Sequence, residues 1–116
     1  MNSKNILRED SIIFAITISD ICENISGCSV YKNQLIRSSS SIGANLHEAK
    51  YAQSRADFIN KMEIALKESS ETEYWLELLF RKQRLTEKQF KETKTMVGSI
   101  RRRLIASITT AKNNTK

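Results

Sequence analysis

The chain has 116 residues, 40% of them hydrophobic and 28% charged, with three glycines, no proline and a formal net charge of +6. One domain fits this length, since a chain of roughly 100–150 residues buries about two thirds of its unfolded surface and a second core would be too small. So little glycine and proline excludes the dense turns of sandwiches and barrels and the glycine-rich phosphate loops of nucleotide-binding folds, which leaves an all-α chain.

No apolar run is long and uncharged enough to span a membrane. The opening MNSKNILREDSII does not read as a signal peptide, because polar residues interrupt the apolar stretch and no small-residue cleavage pattern follows. Residues 1–9 read as a tail. Asp10 can cap a first helix over about residues 11–26, with Gly27 suited to the left-handed position just past its end. Ser29 can open a second helix over about 30–52. Ser54 with Asp57 resembles a capping box and starts a third helix over 55–82, and Thr86 with Gln89 is the standard box for a fourth over 87–112. Residues 113–116 read as a frayed tail. The short connections predict an antiparallel up-down-up-down four-helix bundle spanning residues 10–112.

Apolar spacing supports each helix. Phe14, Ile18, Ile21 and Ile25 form the first stripe, and Leu35, Ser39, Ile42, Leu46 and Ala49 the second. The third runs through Phe58, Met62, Ala65, Ser69, Thr72, Leu76 and Leu79, and the fourth through Phe90, Val97, Ile100, Leu104, Ile108 and Ala111. Alternating steps of three and four keep one stripe inward, as knobs-into-holes packing requires.

Apolar residues remain beyond these stripes. Ile12, Ile13 and Ile16 leave the first stripe, while Ile64, Tyr74, Trp75 and Leu78 form a second face on the third helix. Either the third helix packs on two sides within one subunit, or this surface mates with another copy, and self-association is the preferred reading. Arg37, Ser41, Ala44 and Glu48 line the outer side of the second helix, with Arg37 and Glu48 suited to pair across such a contact. Ser39 and Gly43 form a small pair that admits a close helix.

Catalytic chemistry is poorly supplied. His47 is the only histidine, and the serines at 38–41 lack the strand-turn-helix elbow of a nucleophile. One histidine cannot furnish a di-metal carboxylate bundle, and Cys22 with Cys28 lacks the second ligand pair of a zinc site. The cysteines read as small apolar residues in a reducing cytoplasm. No enzyme activity, cofactor, metal or small-molecule substrate is expected. The carboxylates of the third helix read as face partners, Asp57 with Lys61, Glu63 with Lys67 and Glu77 with Arg81.

Charge is unevenly placed. Residues 1–80 hold 8 Lys/Arg against 11 Asp/Glu, a net of −3, and residues 81–116 hold 11 against 2, a net of +9. Arg81, Lys82, Arg84, Lys88, Lys91, Arg102 and Arg103 can meet successive phosphates of RNA or DNA, with salt-dependent and weakly sequence-dependent binding. Arg101 lies nearer the core direction and suits an acid on another helix or subunit. The competing readings are a merely solvated face and a basic rim that recruits an acidic protein.

The run from Arg37 to Ala49 (RSSSSIGANLHEA), Asp57–Glu68 (DFINKMEIALKE) and Thr72–Leu76 (TEYWL) resemble the signature of small bacterial four-helix bundle proteins. These were first met as reading frames within intervening sequences of 23S ribosomal RNA genes. The resemblance implies an antiparallel bundle assembled into a homopentameric ring, with no established enzymatic activity. It also implies a fold similar to that of the nucleic-acid-binding accessory subunit of diversity-generating retroelements.

Overall fold

The computed structural model describes residues 3–114, which form four helices and the turns between them. These are α1 (Ser3–Glu23), α2 (Ser29–Lys50), α3 (Arg55–Arg81) and α4 (Glu87–Asn113). The body measures 50 × 23 × 22 Å, as expected of helices of 27 residues rising 1.5 Å per residue. α2 packs on α1 and α3, α3 on α4, and α1 on α4, so each helix touches two others. This is an all-α four-helix bundle.

Three boundaries differ by more than one residue from the sequence reading. α1 starts at Ser3, not after Asp10. Leu7, buried one heptad before Phe14, extends the stripe backwards and outweighs the capping chemistry of Asp10, which lies mid-helix. Of the expected N-terminal tail, Met1 and Asn2 lie outside the described residues, as do Thr115 and Lys116 of the expected C-terminal one. α1 also ends early, at Glu23 rather than Ser26. There the Asn24 side chain donates to the Asp20 carbonyl (3.1 Å), and three-residue backbone bonds from Asn24 and Ile25 tighten the last turn.

Gly27 is left-handed (φ 71°), and so is Cys28 (φ 57°) at the N-cap of α2. Gly27 therefore turns the connection instead of capping α1, and Ser29 is already helical. Lys32 Nζ fastens this corner by donating to the Ile25 carbonyl at 2.6 Å. α2 ends at Lys50, two residues short of the expected end, with bonds from Tyr51 and Ala52 to Glu48 and Ala49 tightening its exit.

The other caps follow the sequence. Thr86 and Gln89 make the full capping box. Ser54 accepts from the Asp57 amide at 3.0 Å, and the Asp57 carboxylate reaches back to the Gln53 amide at 3.3 Å instead of closing on Ser54. α3 stops in a Schellman arrangement, with the Arg84 amide bonded to the Leu79 carbonyl and the Gln83 amide to that of Phe80, both at 2.9 Å. Gln83 sits there at φ 62°, a conformation that costs a residue with a Cβ. Gln83→Gly is accordingly expected to raise stability by about 0.5–1 kcal/mol in chemical denaturation.

The predicted stripes are the core. Leu35, Ser39, Ile42, Leu46 and Ala49 of α2 are all buried, as are Met62, Ala65, Ser69, Thr72, Leu76 and Leu79 of α3. Phe14, Ile18 and Ile25 of α1 and Val97, Ile100, Leu104 and Ile108 of α4 join them, with Ile21, Phe58 and Phe90 at the margins. Buried hydroxyls are satisfied along their own helices. Ser11 donates to the Leu7 carbonyl (2.9 Å), Ser69 to that of Leu66 (2.6 Å) and Thr93 to that of Gln89 (2.8 Å), while Thr72 donates across to Ser38 Oγ (2.9 Å). No buried side-chain polar atom lacks a partner among the described residues. The helix that approaches Gly43 is α1 of the same chain, since a Cβ there would lie 3.7 Å from Ser11 Cβ.

Candidate nucleic-acid interface

The basic residues separate into three groups. Around the α3–α4 turn, Arg81 pairs with Glu77 (2.7 Å), Lys88 with Glu92 (3.9 Å) and Lys91 with Glu87 (3.0 Å). All these side chains are largely exposed, and such pairs are worth little, so the cations can exchange their partners for phosphates. Lys82 lies over the Tyr31 ring at 5.8 Å, and Arg84 is exposed in the turn. Arg102 is exposed about 16 Å farther along α4 than Lys91. Arg103 forms the third group. Contrary to the outward position expected for it, it is half-buried and donates to Asp10 Oδ2 at 2.9 Å and to the Ser99 carbonyl at 3.4 Å, tying α4 to α1. Arg101 meets an acid of another helix, as its position suggested, donating to Glu73 of α3 at 3.0 Å.

The residues assigned to a subunit contact also divide. Arg37 donates to Glu68 Oε2 at 3.1 Å, to Glu71 and to Gln34 Oε1 at 3.1 Å, while Lys61 lies 3.4 Å from Glu48. Arg37 and Glu48 thus join α2 to α3 within the chain. The Trp75 indole donates to Glu71 (3.1 Å) and packs between Tyr31 (6.1 Å) and the edge of Tyr74 (5.0 Å), half-buried against the core. Ile64 and Leu78 are half-buried too. Ser41 is half-buried with its hydroxyl on the Arg37 carbonyl at 2.7 Å, and Ala44 is exposed. Tyr74 stands out at 59% exposure, and on α1 Ile12, Ile16, Ile13 and Ile6 are exposed together.

Two expected pairs on α3 give way to contacts between helices. Glu63 takes Lys112 of α4 at 3.1 Å, not Lys67, and Lys61 takes Glu48, not Asp57; only Glu77 with Arg81 forms as read. His47 Nδ1 lies 3.3 Å from Arg8 Nη2. A guanidinium only donates, so Nδ1 is the acceptor in this contact. The hydroxyls of Ser38, Ser39, Ser40 and Ser41 all donate to carbonyls of their own helix. Cys22 is buried, and burial pushes its thiol up from the ordinary value against an opposing pull from the Lys32 charge, which makes it a poor nucleophile. No group of three His, Cys, Asp or Glu residues is placed to hold a metal among the described residues. Nor is any described helix long and apolar enough to cross a membrane.

Two grooves escaped the sequence reading. They flank Leu7 and Phe58 at one end of the bundle, with volumes of about 680 and 410 Å³. Arg55 and Arg103 line the larger, and Arg8 and Lys50 the smaller. Each needs three helices to form, which a pattern along one helix does not reveal.

A basic, aromatic-edged four-helix bundle with this signature is matched by the family model of the 23S rRNA-intervening sequence protein over residues 3–106. The chain belongs to this family. It is similar to a crystal structure of a protein of unknown function from the S23 ribosomal protein family of Bacteroides thetaiotaomicron. The two share 42% identity with a TM-score of 0.88, over 93% of this chain and 99% of that one. Among curated proteins, none matches. Family membership thus carries the bundle fold across nearly the whole chain and leaves activity and partners to be argued from the surface.

Proposed function

We propose that this chain is a non-enzymatic, cytoplasmic, antiparallel four-helix bundle that assembles into a homopentameric ring and binds structured RNA or DNA through its basic fourth helix. The observation that carries the reading is the row of exposed cations Arg84, Lys88, Lys91 and Arg102 in a segment with a net charge of +9, 11 basic against 2 acidic residues. A rigid helix bearing cations at intervals meets a phosphate backbone without reading bases.

The antiparallel arrangement is supported by side-chain pairs whose partners run in opposite directions. Along α2 and α3 these are Tyr31 with Trp75, Arg37 with Glu68 and Glu48 with Lys61; along α3 and α4 they are Glu63 with Lys112, Glu73 with Arg101 and Phe80 with Phe90. Self-association is supported by two apolar surfaces, the α1 isoleucines and Tyr74 of α3, on helices that do not pack on each other within the chain. A contact between two different surfaces is heterologous, and such contacts make a ring where the rotation from copy to copy closes. Repeating a weak basic patch around a ring raises its avidity.

The test pairs light scattering with fluorescence anisotropy on a ribosomal RNA fragment and a DNA duplex across salt. Wild type is expected to bind with a log-log slope of roughly −0.7 to −0.9 per phosphate contact. Arg84→Glu, Lys88→Glu and Arg102→Glu combined should flatten that slope by roughly 2–3 and leave the oligomer intact. Unchanged affinity and slope would reduce the basic helix to a solvated face. An intact oligomer that binds neither nucleic acid favours the second reading, in which the basic rim recruits an acidic protein.

A further inference from the structure

Gly98 occupies the middle of α4, where alanine would make a better helix. It is nevertheless buried, and the reason lies in the next turn. Helical side chains lean back over the turn before them, so residues three and four positions on from Gly98 cover it. Those residues are Arg101 and Arg102. A Cβ on Gly98 would stand 3.3 Å from Arg102 Nη1 and 3.9 Å from Arg101 Nη2. The missing side chain is a notch in which two guanidinium groups converge on one turn of backbone.

The notch is also electrostatically unbalanced. Glu73 of α3 accepts from Arg101 Nε at 3.0 Å and lies 4.0 Å from Lys94 Nζ. Arg101 engages it through Nε, and its Nη2 lies on the Gly98 side, 3.9 Å from where a Cβ would stand. Arg102 makes no ion pair among the described residues and is exposed. Lys94 and Arg101 therefore share one carboxylate with the unpaired Arg102 beside them, which leaves two positive charges uncompensated around Gly98.

The geometry points to a phosphate-binding site at Gly98, formed by Lys94, Arg101 and Arg102, which takes a phosphodiester of a nucleic-acid backbone or the equivalent group of a free polyphosphate. Guanidinium forks suit phosphate oxygens, and the absent side chain lets both forks lie against one turn of the helix, side by side for an anion arriving from outside. For its macromolecular ligand the site rests on the α4 reading above. It relocates the focus of that surface, since Lys94 and Arg101 lie outside the exposed row and Gly98 carries no charge.

The discriminating substitution adds one methyl group. Gly98→Ala keeps every charge and favours the helix, but its methyl would stand 3.3 Å from Arg102 Nη1, so that guanidinium must shift off the notch while Arg101, at 3.9 Å, stays in ordinary contact. In the full-length protein, Gly98→Ala and Arg102→Gln are each expected to weaken binding of the ribosomal RNA fragment roughly eightfold at 0.1 M salt and to flatten the slope by roughly 0.9. Gly43→Ala, a helix glycine with ordinary clearance, should bind as wild type. In parallel, pyrophosphate should raise the melting temperature of wild type and Gly43→Ala, and not that of Gly98→Ala. Wild-type RNA binding and slope in Gly98→Ala would overturn the site and leave the α4 reading standing. A pyrophosphate shift that Gly98→Ala abolishes, without RNA binding by wild type, would do the reverse and identify free polyphosphate as the ligand. Absence of any pyrophosphate shift in wild type would also overturn the site.

Discussion

Phe14→Ala is expected to cost about 3–5 kcal/mol and to lower the melting temperature by roughly 10–20 °C. Phe14 is fully buried and among the largest such side chains of the core. α1 packs on α2 and α4 and not on α3, so its hold on the bundle depends on one stripe through Leu7, Phe14 and Ile18. Removing the ring leaves a void that the clamps on either side resist filling, Lys32 on the Ile25 carbonyl and Arg103 on Asp10. Against a total stability of about 5–15 kcal/mol, the loss brings the chain close to unfolding. Val30→Ala, which also truncates an apolar side chain but at 69% exposure, should move stability by no more than about 0.5 kcal/mol. Urea denaturation followed by circular dichroism separates the two. Equal effects would mean that α1 is rotated from the register described above.

The periodicity that located Phe14 is the part of this molecule most legible in its sequence. A stripe is a property of one helix, and Leu35 to Ala49 or Met62 to Leu79 are buried as their spacing requires. The same logic was available at Leu7, but the local chemistry of Asp10 resembles a cap, and a cap and an ion-pair partner are the same residue type until the neighbouring helix is placed. The meeting of Ser38 with Thr72 was illegible for a related reason. The spacing placed Thr72 in its stripe, but Ser38 lies outside the stripe of α2, and no pattern along one helix names the hydroxyl it meets on another.

The candidate sites depend almost entirely on such meetings. Arg101 and Arg103 are two residues apart on one helix, yet one serves Glu73 and the other Asp10, on opposite neighbours. A helical wheel fixes their angular positions but not the acids they reach. Arg37 and Glu48 show the same limit: their outward line was legible, whereas their use by Glu68, Glu71 and Lys61 of α3 was not. The Gly98 notch was hidden because glycine in a helix pattern signals only a weak propensity. Its meaning comes from the two arginines that follow it.

Ile13→Glu combined with Ile16→Glu is expected to dissociate the proposed ring into folded monomers. Both side chains are more than half exposed, at 53% and 55%, so the substitutions remove nothing from the core. If these faces are buried between copies, each isoleucine contributes roughly 1.5–3 kcal/mol per contact, and their joint loss weakens association by about 10²–10⁴-fold before the cost of burying carboxylates. Light scattering at micromolar concentration should then show one chain per particle, with a melting curve close to that of a folded bundle. Trp75→Ala provides the contrast, because the indole is half-buried against the core between Tyr31 and Tyr74 and anchored on Glu71. Its removal should lower the melting temperature of the chain itself while the particle keeps its subunit number. A double α1 variant that remains assembled would move the contact off this face and leave the α2–α3 seam as its seat. In that case Trp75→Ala, not the isoleucine pair, would dissociate the particle.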